Sequence, residues 1–492
     1  MRKLKKRVNS NKSFYNKLIY TVLSLALLPA ALSYAQDNPE EQKAAPERVE
    51  LTVEQAVSYS ISNSKSLKSA AIDLEISKRA NKYSWNIFLP TVSVSGTLNR
   101  STASSWDSIV SGVGQGASFG AGAFIPKSQW ESIAESAGFE ENESMHWAAV
   151  GSLTASLNLS LAQIYQIKAT KASYESGTIS WDQTVKENTR NIKKLFYGLL
   201  LQQESLKLSQ DSLKNAKNRY DQAIINYRNG RIPELSLLQT QVAYENQKPS
   251  VLNAEQSFEQ QLDLFAFLLG MPSGTKITLV GQISANLRDY DAEDLIKQYA
   301  ETRIDVVSLR QQLETLKLNK KALDLASWSP ALVLNYSYQP TLAPYALDFD
   351  KWSESDNWND SGSFSITLAW SITNMLPWSS NRQKAADLDA NIAKIELALE
   401  QLKDNARLEI RKYVDSLKVA KANIEASEQR IKLAQRAYDM TLVAYRNGTQ
   451  ELLDVRDAET SLYQAKLGLA NEEFNYISNL LDLEYSVNTA LF

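Results

Sequence analysis

The sequence predicts a mainly α-helical chain that carries a few membrane-spanning β-strands and repeats its whole layout once. Three observations predict this class. Residues Ser379 to Asn447 run for 69 positions without Gly or Pro, about 100 Å of helix at the usual rise. Several short segments alternate strictly between apolar and hydroxylated residues, the period-two signal of a strand. The string YDQAIINYRNG at Tyr220–Gly230 also matches YDMTLVAYRNG at Tyr438–Gly448 without a gap. That offset of 218 also relates Leu235 to Leu453 and Lys248 to Lys466. Upstream, the segments opening at Thr52 and Asp291 resemble each other at an offset of 239, so the first half carries a longer loop. Similarity over so long a unit is an internal duplication, not a short solenoid repeat.

Composition removes several function classes. The 492 residues include no Cys and one His. Disulfides, thiolate metal sites, Cys nucleophiles and a lipid-modified N-terminal Cys are therefore excluded. One imidazole cannot build a His-based zinc site or a proton relay, so no cofactor, no metal and no catalytic residues are expected. Net charge is -3, and the first 35 residues hold seven basic residues and no acid. Without them 46 basic residues face 56 acidic ones, a net charge of -10. Nucleic acid is not the expected partner.

The elements follow in order. Arg2 to Lys17 holds those seven positive charges, Leu18 to Leu32 is apolar, and Ser33-Tyr34-Ala35 offers small residues at a cleavage site. This predicts a signal peptide at 1–35, with an uncleaved anchor as the other reading. A polar tether follows at 36–50. The first structural repeat spans 51–270, a connector 271–289, and the second repeat 290–492. No later segment has enough consecutive apolar residues for a membrane helix. Thr52 and Asp291 are N-caps, and Thr52 with Gln55 forms a capping-box pattern. Each opening helix stops before Pro90 or Pro330.

Strands come next, at Thr91–Leu98, Leu153–Leu161, Ala331–Gln339 and Ser363–Ile372. Each has one apolar face and one small, mostly hydroxylated face. A soluble sheet would show the same alternation, but the flanking helices offer no globular sheet to join. Their lengths suit tilted spanning strands. Four strands cannot close a barrel, since the smallest have about eight; several chains must share one. Loops at 99–152 and 341–362 join the paired strands. Gly112 to Gly122 lacks a phosphate-loop Lys, and His146 has no second ligand at metal spacing, so both read as ordinary loop residues.

Long helices then run over Gln163–Asn229 and Ser379–Asn447. Apolar residues recur every seven positions, at Leu199, Leu206, Leu213, Tyr220 and Tyr227, and from Ile410 through Tyr445. The companion seam is small or polar, at Ser209, Ala216, Ala223 and Ala420, Ser427, Ala434. This is coiled-coil packing with close helix approach. Gly230 and Gly448 end the helices. Returning helices start near Pro233 and Glu451, the first with a kink expected at Pro249.

This layout, and above all the stretch from Tyr445 to Lys466 (YRNGTQELLDVRDAETSLYQAK), resembles the TolC-like outer-membrane efflux protein family. The resemblance implies a homotrimer in outer-membrane lipid, a trimeric α/β-barrel duct. Twelve strands form its outer-membrane barrel and twelve helices an antiparallel coiled-coil periplasmic tunnel, with the connector at the equatorial region. It implies partners: a periplasmic adaptor (membrane fusion) protein and an inner-membrane pump of RND, ABC or MFS type. It implies drug efflux or type I secretion, with no enzyme activity.

Site residues follow from the same resemblance. Asp454 and Asp457 match the paired aspartates that ring the periplasmic entrance, and their i, i+3 spacing independently places both on one helix face. The other reading is two solvated acids near a helix N-terminus, where acids are favourable. Tyr445 matches a gate-latch tyrosine, and Gln450 stands where the latch often has a basic residue, implying a polar latch. Gly230, Leu235, Gly448 and Leu453 mark the adaptor-docking tip, although Leu235 and Leu453 would equally suit interhelix packing. The competing class is a secreted coiled-coil surface or adhesion protein without a pore.

Overall fold

The computed structural model describes residues 48–101, 129, 132, 133, 136, 146–343, 345–447 and 449–491. The signal peptide, the tether as far as residue 47, Gly112 to Gly122 and Gly448 lie outside the described residues. Eight helices are described: α1 (Val53–Asn63), α2 (Lys65–Lys82), α3 (Leu161–Arg228), α4 (Glu234–Leu269), α5 (Ala292–Tyr299), α6 (Ile304–Trp328), α7 (Ser380–Arg446) and α8 (Leu452–Val487). Six strands accompany them: β1 (Arg48–Leu51), β2 (Thr91–Arg100), β3 (Trp147–Leu159), β4 (Lys276–Leu279), β5 (Ala331–Leu342) and β6 (Trp358–Ala369).

The long helices keep nearly their expected limits. At 68 and 67 residues, α3 and α7 are each about 100 Å long. Each turns into a returning helix of 36 residues, α4 or α8. The heptad seam holds where the hairpins are thick: Leu199, Ile410, Leu417 and Ile424 are buried, as are Ala216, Ala223, Ala420 and Ser427. Towards the turns it opens, and Tyr227 is exposed. α4 continues through Pro249 as one helix.

Several local expectations need correction. Both opening helices are broken, at Ser64 between α1 and α2 and at residues 300–303 between α5 and α6. The capping box at Thr52 and the Asp291 cap both form, so the starts were legible. The breaks were not, because they arise from packing. Arg303 caps α6 while its guanidinium forks onto Asp305 and reaches Glu409 Oε2 at 2.7 Å on α7. Leu161 opens α3 rather than closing a strand, because Ser160 and Gln163 form a capping box there. The strands also run further into both loops, leaving 101–146 and 343–357 as connections. Part of the tether and part of the connector pair as the parallel strands β1 and β4.

That β-pair belongs to a core midway along α3, where α4 ends. Leu51, Ile277 and Leu279 pack with Ile192, Phe196, Leu200, Phe265 and Leu269. A second core holds Ile410, Val414, Leu417, Tyr476, Leu480 and Leu483 of α7 and α8 under Leu287, Leu295 and Tyr299. The segment between Met271 and Tyr299 thus supplies cover to both hairpins.

Gly270 ends α4 with φ +82, and a Cβ there would meet the Asn63 carbonyl, whose carbon lies 2.8 Å away. Gly230 has φ +66 and open space around it. Both substitutions to Ala meet the left-handed penalty of about 1–2 kcal/mol. Only Gly270→Ala adds overpacking, about 1–3 kcal/mol. Heating detergent-solubilised protein while following helicity should lower the midpoint clearly more for Gly270→Ala. Equal shifts would show that α1 yields without cost.

Candidate functional site

The first functional element is a sheet of order β2-β3-β5-β6, antiparallel throughout. Directly opposed residues share a face. Val92 faces Ala155, Ala155 faces Tyr336, and Tyr336 faces Phe364. One residue along, Ser93, Thr154, Ser337 and Ser363 form the matching row. Register therefore brings four apolar faces onto one side and four hydroxyl faces onto the other. On the apolar side Val92, Val94, Phe364, Ile366 and Leu368 are all more than 60% exposed. On the hydroxyl side Ser93 Oγ lies 2.6 Å from Thr154 Oγ1, and Ser156 Oγ donates to Asn335 Oδ1 at 2.6 Å. The strands have 10 to 13 residues, the reach of a tilted spanning strand.

Aromatic residues gather at both ends of the sheet. Trp85, Phe88, Trp328, Trp370 and Trp378 stand exposed where the strands meet the helices. At the far end Trp147 and Trp358 open β3 and β6, and Phe349 and Trp352 lie in the connection between β5 and β6. The Trp352 ring lies 5.7 Å from Phe349 and 5.8 Å from Trp358. His146 sits at the base of the longer connection, its Nδ1 3.1 Å from the Ser101 carbonyl. Among the described residues no helix is long and apolar enough to cross a membrane.

The second element is the pair of helical turns. After α3, the Gly230 N–H donates to the Tyr227 carbonyl and the Arg231 N–H to the Asn226 carbonyl. This double closure is the glycine-ended helix stop. Pro233, expected to open the helix, is instead the N-cap of α4, and Leu235 is 66% exposed. After α7, the Thr449 N–H and hydroxyl both donate to the Ala444 carbonyl. Gln450 is exposed, Tyr445 is half-buried on α7, and Leu453 is 52% exposed.

Asp454 has a structural job. Glu451 caps α8 by accepting the Asp454 N–H, and Asp454 Oδ2 accepts the Glu451 N–H at 3.1 Å. This reciprocal box satisfies two orphan donors. Asp457 lies one turn on, exposed, with Arg456 Nε 4.0 Å from its carboxylate. Both aspartates share the exposed side of α8, opposite buried Val455. Among the described residues no hydrogen bond joins Tyr445 to Gln450 or to either aspartate.

One charged group near the turns escaped the sequence reading. Glu459 is buried and meets Arg219 Nη2 at 2.7 Å and Asn215 Nδ2 at 2.9 Å, both on α3. Burial, and behind it the Glu459 carboxylate, pushes the Tyr438 phenol above its usual range. The available signal was position: Glu459 interrupts the apolar stripe of Val455, Leu462 and Ala465.

With this geometry in place, the comparisons with known proteins carry weight. The outer membrane protein TolC of Salmonella enteritidis is 34% identical over 80 residues, 16% of this chain and 16% of that relative's length. The CmeC outer membrane channel of Campylobacter jejuni is similar in structure with a TM-score of 0.66 at 15% identity, over 88% of this chain and 85% of that one. The open state of the MtrE outer membrane channel of Neisseria gonorrhoeae gives 0.64 at 16% identity, over 89% of each chain. The profile of the outer membrane efflux protein family matches residues 56–271 and again 295–489. A match over most of its length, on a chain whose four-stranded sheet is apolar on one side and hydroxylated on the other, places this protein in the outer membrane as a member of the outer membrane efflux protein family.

Proposed function

We propose that this chain is the exit duct of a tripartite efflux pump or a type I secretion system, conducting substrates passively to the exterior. The observation that carries the reading is the in-phase sheet, apolar on one side across all four strands. β2 and β6 are its edges. Open edges invite pairing, and three chains joined edge to edge give a twelve-stranded barrel with lipid outside and hydroxyls inside. Exposed stripes on the hairpins support the same assembly: Leu238, Val242 and Leu252 on α4, Leu433, Met440 and Val443 on α7. The near-equal lengths of α3 and α7, and of α4 and α8, support an internal duplication, as does the family profile matching each half.

The helical end is the gate in this reading. Three copies of Asp454 and Asp457 ring its mouth as six carboxylates. Tyr445 and Gln450 form a polar latch across subunits. Gly230, Leu235, Gly448 and Leu453 form the tip that meets a periplasmic adaptor, which in turn couples an inner-membrane pump of RND, ABC or MFS type. Energy comes from that pump, so the duct has no catalytic residues and is not an enzyme.

Planar-bilayer recording of detergent-purified protein tests the duct. Small cation-favouring current steps are expected. Folded, inserted protein without steps would defeat the reading and favour a coiled-coil surface protein without a pore.

A further inference from the structure

The connection between β5 and β6 folds onto the apolar side of the sheet. Leu98, Ala149, Leu342 and Trp358 form one row near the far end of that side. In this row Leu342 and Ala149 are buried, whereas Val94, further in along β2, is 65% exposed. Ala346, itself buried, covers them from the short turn Tyr345–Leu347, with Trp147 and Trp358 packed alongside. Side chains that point to one face of a sheet are covered from that face. The turn therefore lies outside the sheet and clear of the hydroxyl side. Its own hydrogen bonds hold it in shape. Trp352 Nε1 donates to the Ala346 carbonyl at 3.1 Å, and Trp358 Nε1 to the Trp352 carbonyl at 3.1 Å. Asn357 Nδ2 donates to the Glu354 carboxylate at 2.9 Å. With both indole N–H groups satisfied internally, the connection presents apolar surface outward: Phe349 is 75% exposed, and Leu347 and Trp352 are exposed as well.

Depth decides what meets this surface. β6 has 12 residues, and about 9–11 tilted residues cross the hydrocarbon. Asp360 stands exposed on the apolar side, one row inward of Trp358. A carboxylate is costly in hydrocarbon, so the hydrocarbon begins inward of Asp360. The covered row and its turn then lie at the level of the lipid headgroups, where amphipathic rings are favoured. Charge selects among headgroups. Residues 347–360 carry Asp348, Asp350, Glu354, Asp356 and Asp360 against Lys351 alone. That balance repels a phosphate, whereas carboxylates accept from the hydroxyls of a sugar. The C–H face of a sugar ring also suits the negative face of an aromatic ring. We propose that the β5–β6 connection is an outward collar that docks on the saccharide headgroups of glycolipid in the outer leaflet. Leu347, Phe349 and Trp352 supply its apolar surface, and Asp348 and Asp350 accept the sugar hydroxyls. The collar rests on the sheet spanning the outer membrane, not on conduction.

Full-length protein reconstituted in phosphatidylethanolamine nanodiscs tests the collar. The discs carry, in separate samples, neutral digalactosyl diacylglycerol, phosphatidylglycerol or rough lipopolysaccharide. Lipid that stays on the protein after mild extraction is counted by native mass spectrometry. Wild type should retain the neutral glycolipid and the lipopolysaccharide several-fold better than phosphatidylglycerol. Leu347→Ser with Phe349→Ser should lose that preference, and Phe349→Trp should keep it. If the double variant does not insert, Phe349→Ser alone carries the test, since its ring is the most exposed of the three. Equal retention by wild type and an inserted variant would overturn the collar. Lipopolysaccharide retained without the neutral glycolipid would show that phosphate is held, and would overturn the saccharide assignment. A several-fold rise in single-channel current in the double variant would place the connection over the mouth and overturn the collar too. Wild type that fails to insert would defeat the spanning sheet and the collar together, whereas inserted, conducting protein without glycolipid preference would defeat the collar alone.

Discussion

Phe364→Lys should abolish outer-membrane insertion, while Ser363→Lys, one residue away, should leave it intact. Phe364 sits mid-strand in β6, on the apolar face, 63% exposed and opposite Tyr336. Ser363 sits on the hydroxyl face opposite Ser337. A lysine on the lipid face at the bilayer midplane costs about 2–4 kcal/mol. In the proposed trimer three copies raise that cost to about 6–12 kcal/mol, comparable with the whole stability of an ordinary domain, about 5–15 kcal/mol. On the other face the ammonium finds water and hydroxyls. Membrane fractionation with trimer detection on gels would read the outcome. Insertion of Phe364→Lys with loss of Ser363→Lys would invert the faces. Normal insertion of both would remove this sheet from the lipid.

Asp454→Asn with Asp457→Asn should strongly weaken block of the channel by divalent cations at the helical end. In the proposed trimer six carboxylates surround one axis, where they would attract such ions and hold them at the mouth. Asn is the informative substitution at position 454. The Asp454 side chain accepts the Glu451 N–H, and an amide oxygen keeps that bond while removing the charge. Asp454→Ala would also lose a helix cap, about 1 kcal/mol, and confuse gating with fraying. Titration of cobalt or magnesium against single-channel current reads the effect. Unchanged block in a folded double variant would remove both aspartates from the mouth and leave Asp454 as a cap alone.

Much of this was legible in the residues. Helix starts at Thr52 and Asp291, the stop at Gly230 and the Gly- and Pro-free long helices are local chemistry, written within a few positions of where they act. Strand alternation was equally plain. The breaks at Ser64 and at 300–303 were not legible, because neighbouring helices impose them. The pairing of Arg48–Leu51 with Lys276–Leu279 was not legible either, since four residues carry too little period to declare a strand. Glu459 looked like one more solvated acid on a charged helix. Its burial depends on Asn215 and Arg219, more than 200 positions away.

The sequence by itself determined the periods: two for the strands, seven for the hairpins, and one string before the turns that occurs twice. Those follow from backbone geometry, which any local stretch obeys on its own. Only the tertiary structure decided the phases. It set the register that stacks Val92, Ala155, Tyr336 and Phe364 in one row, and the register of α8 on α3 that joins Glu459 to Arg219. A slip of one residue would leave every strand's alternation intact and reverse its face. Phase is a property of two segments together, fixed by which side chains can be buried or paired at once.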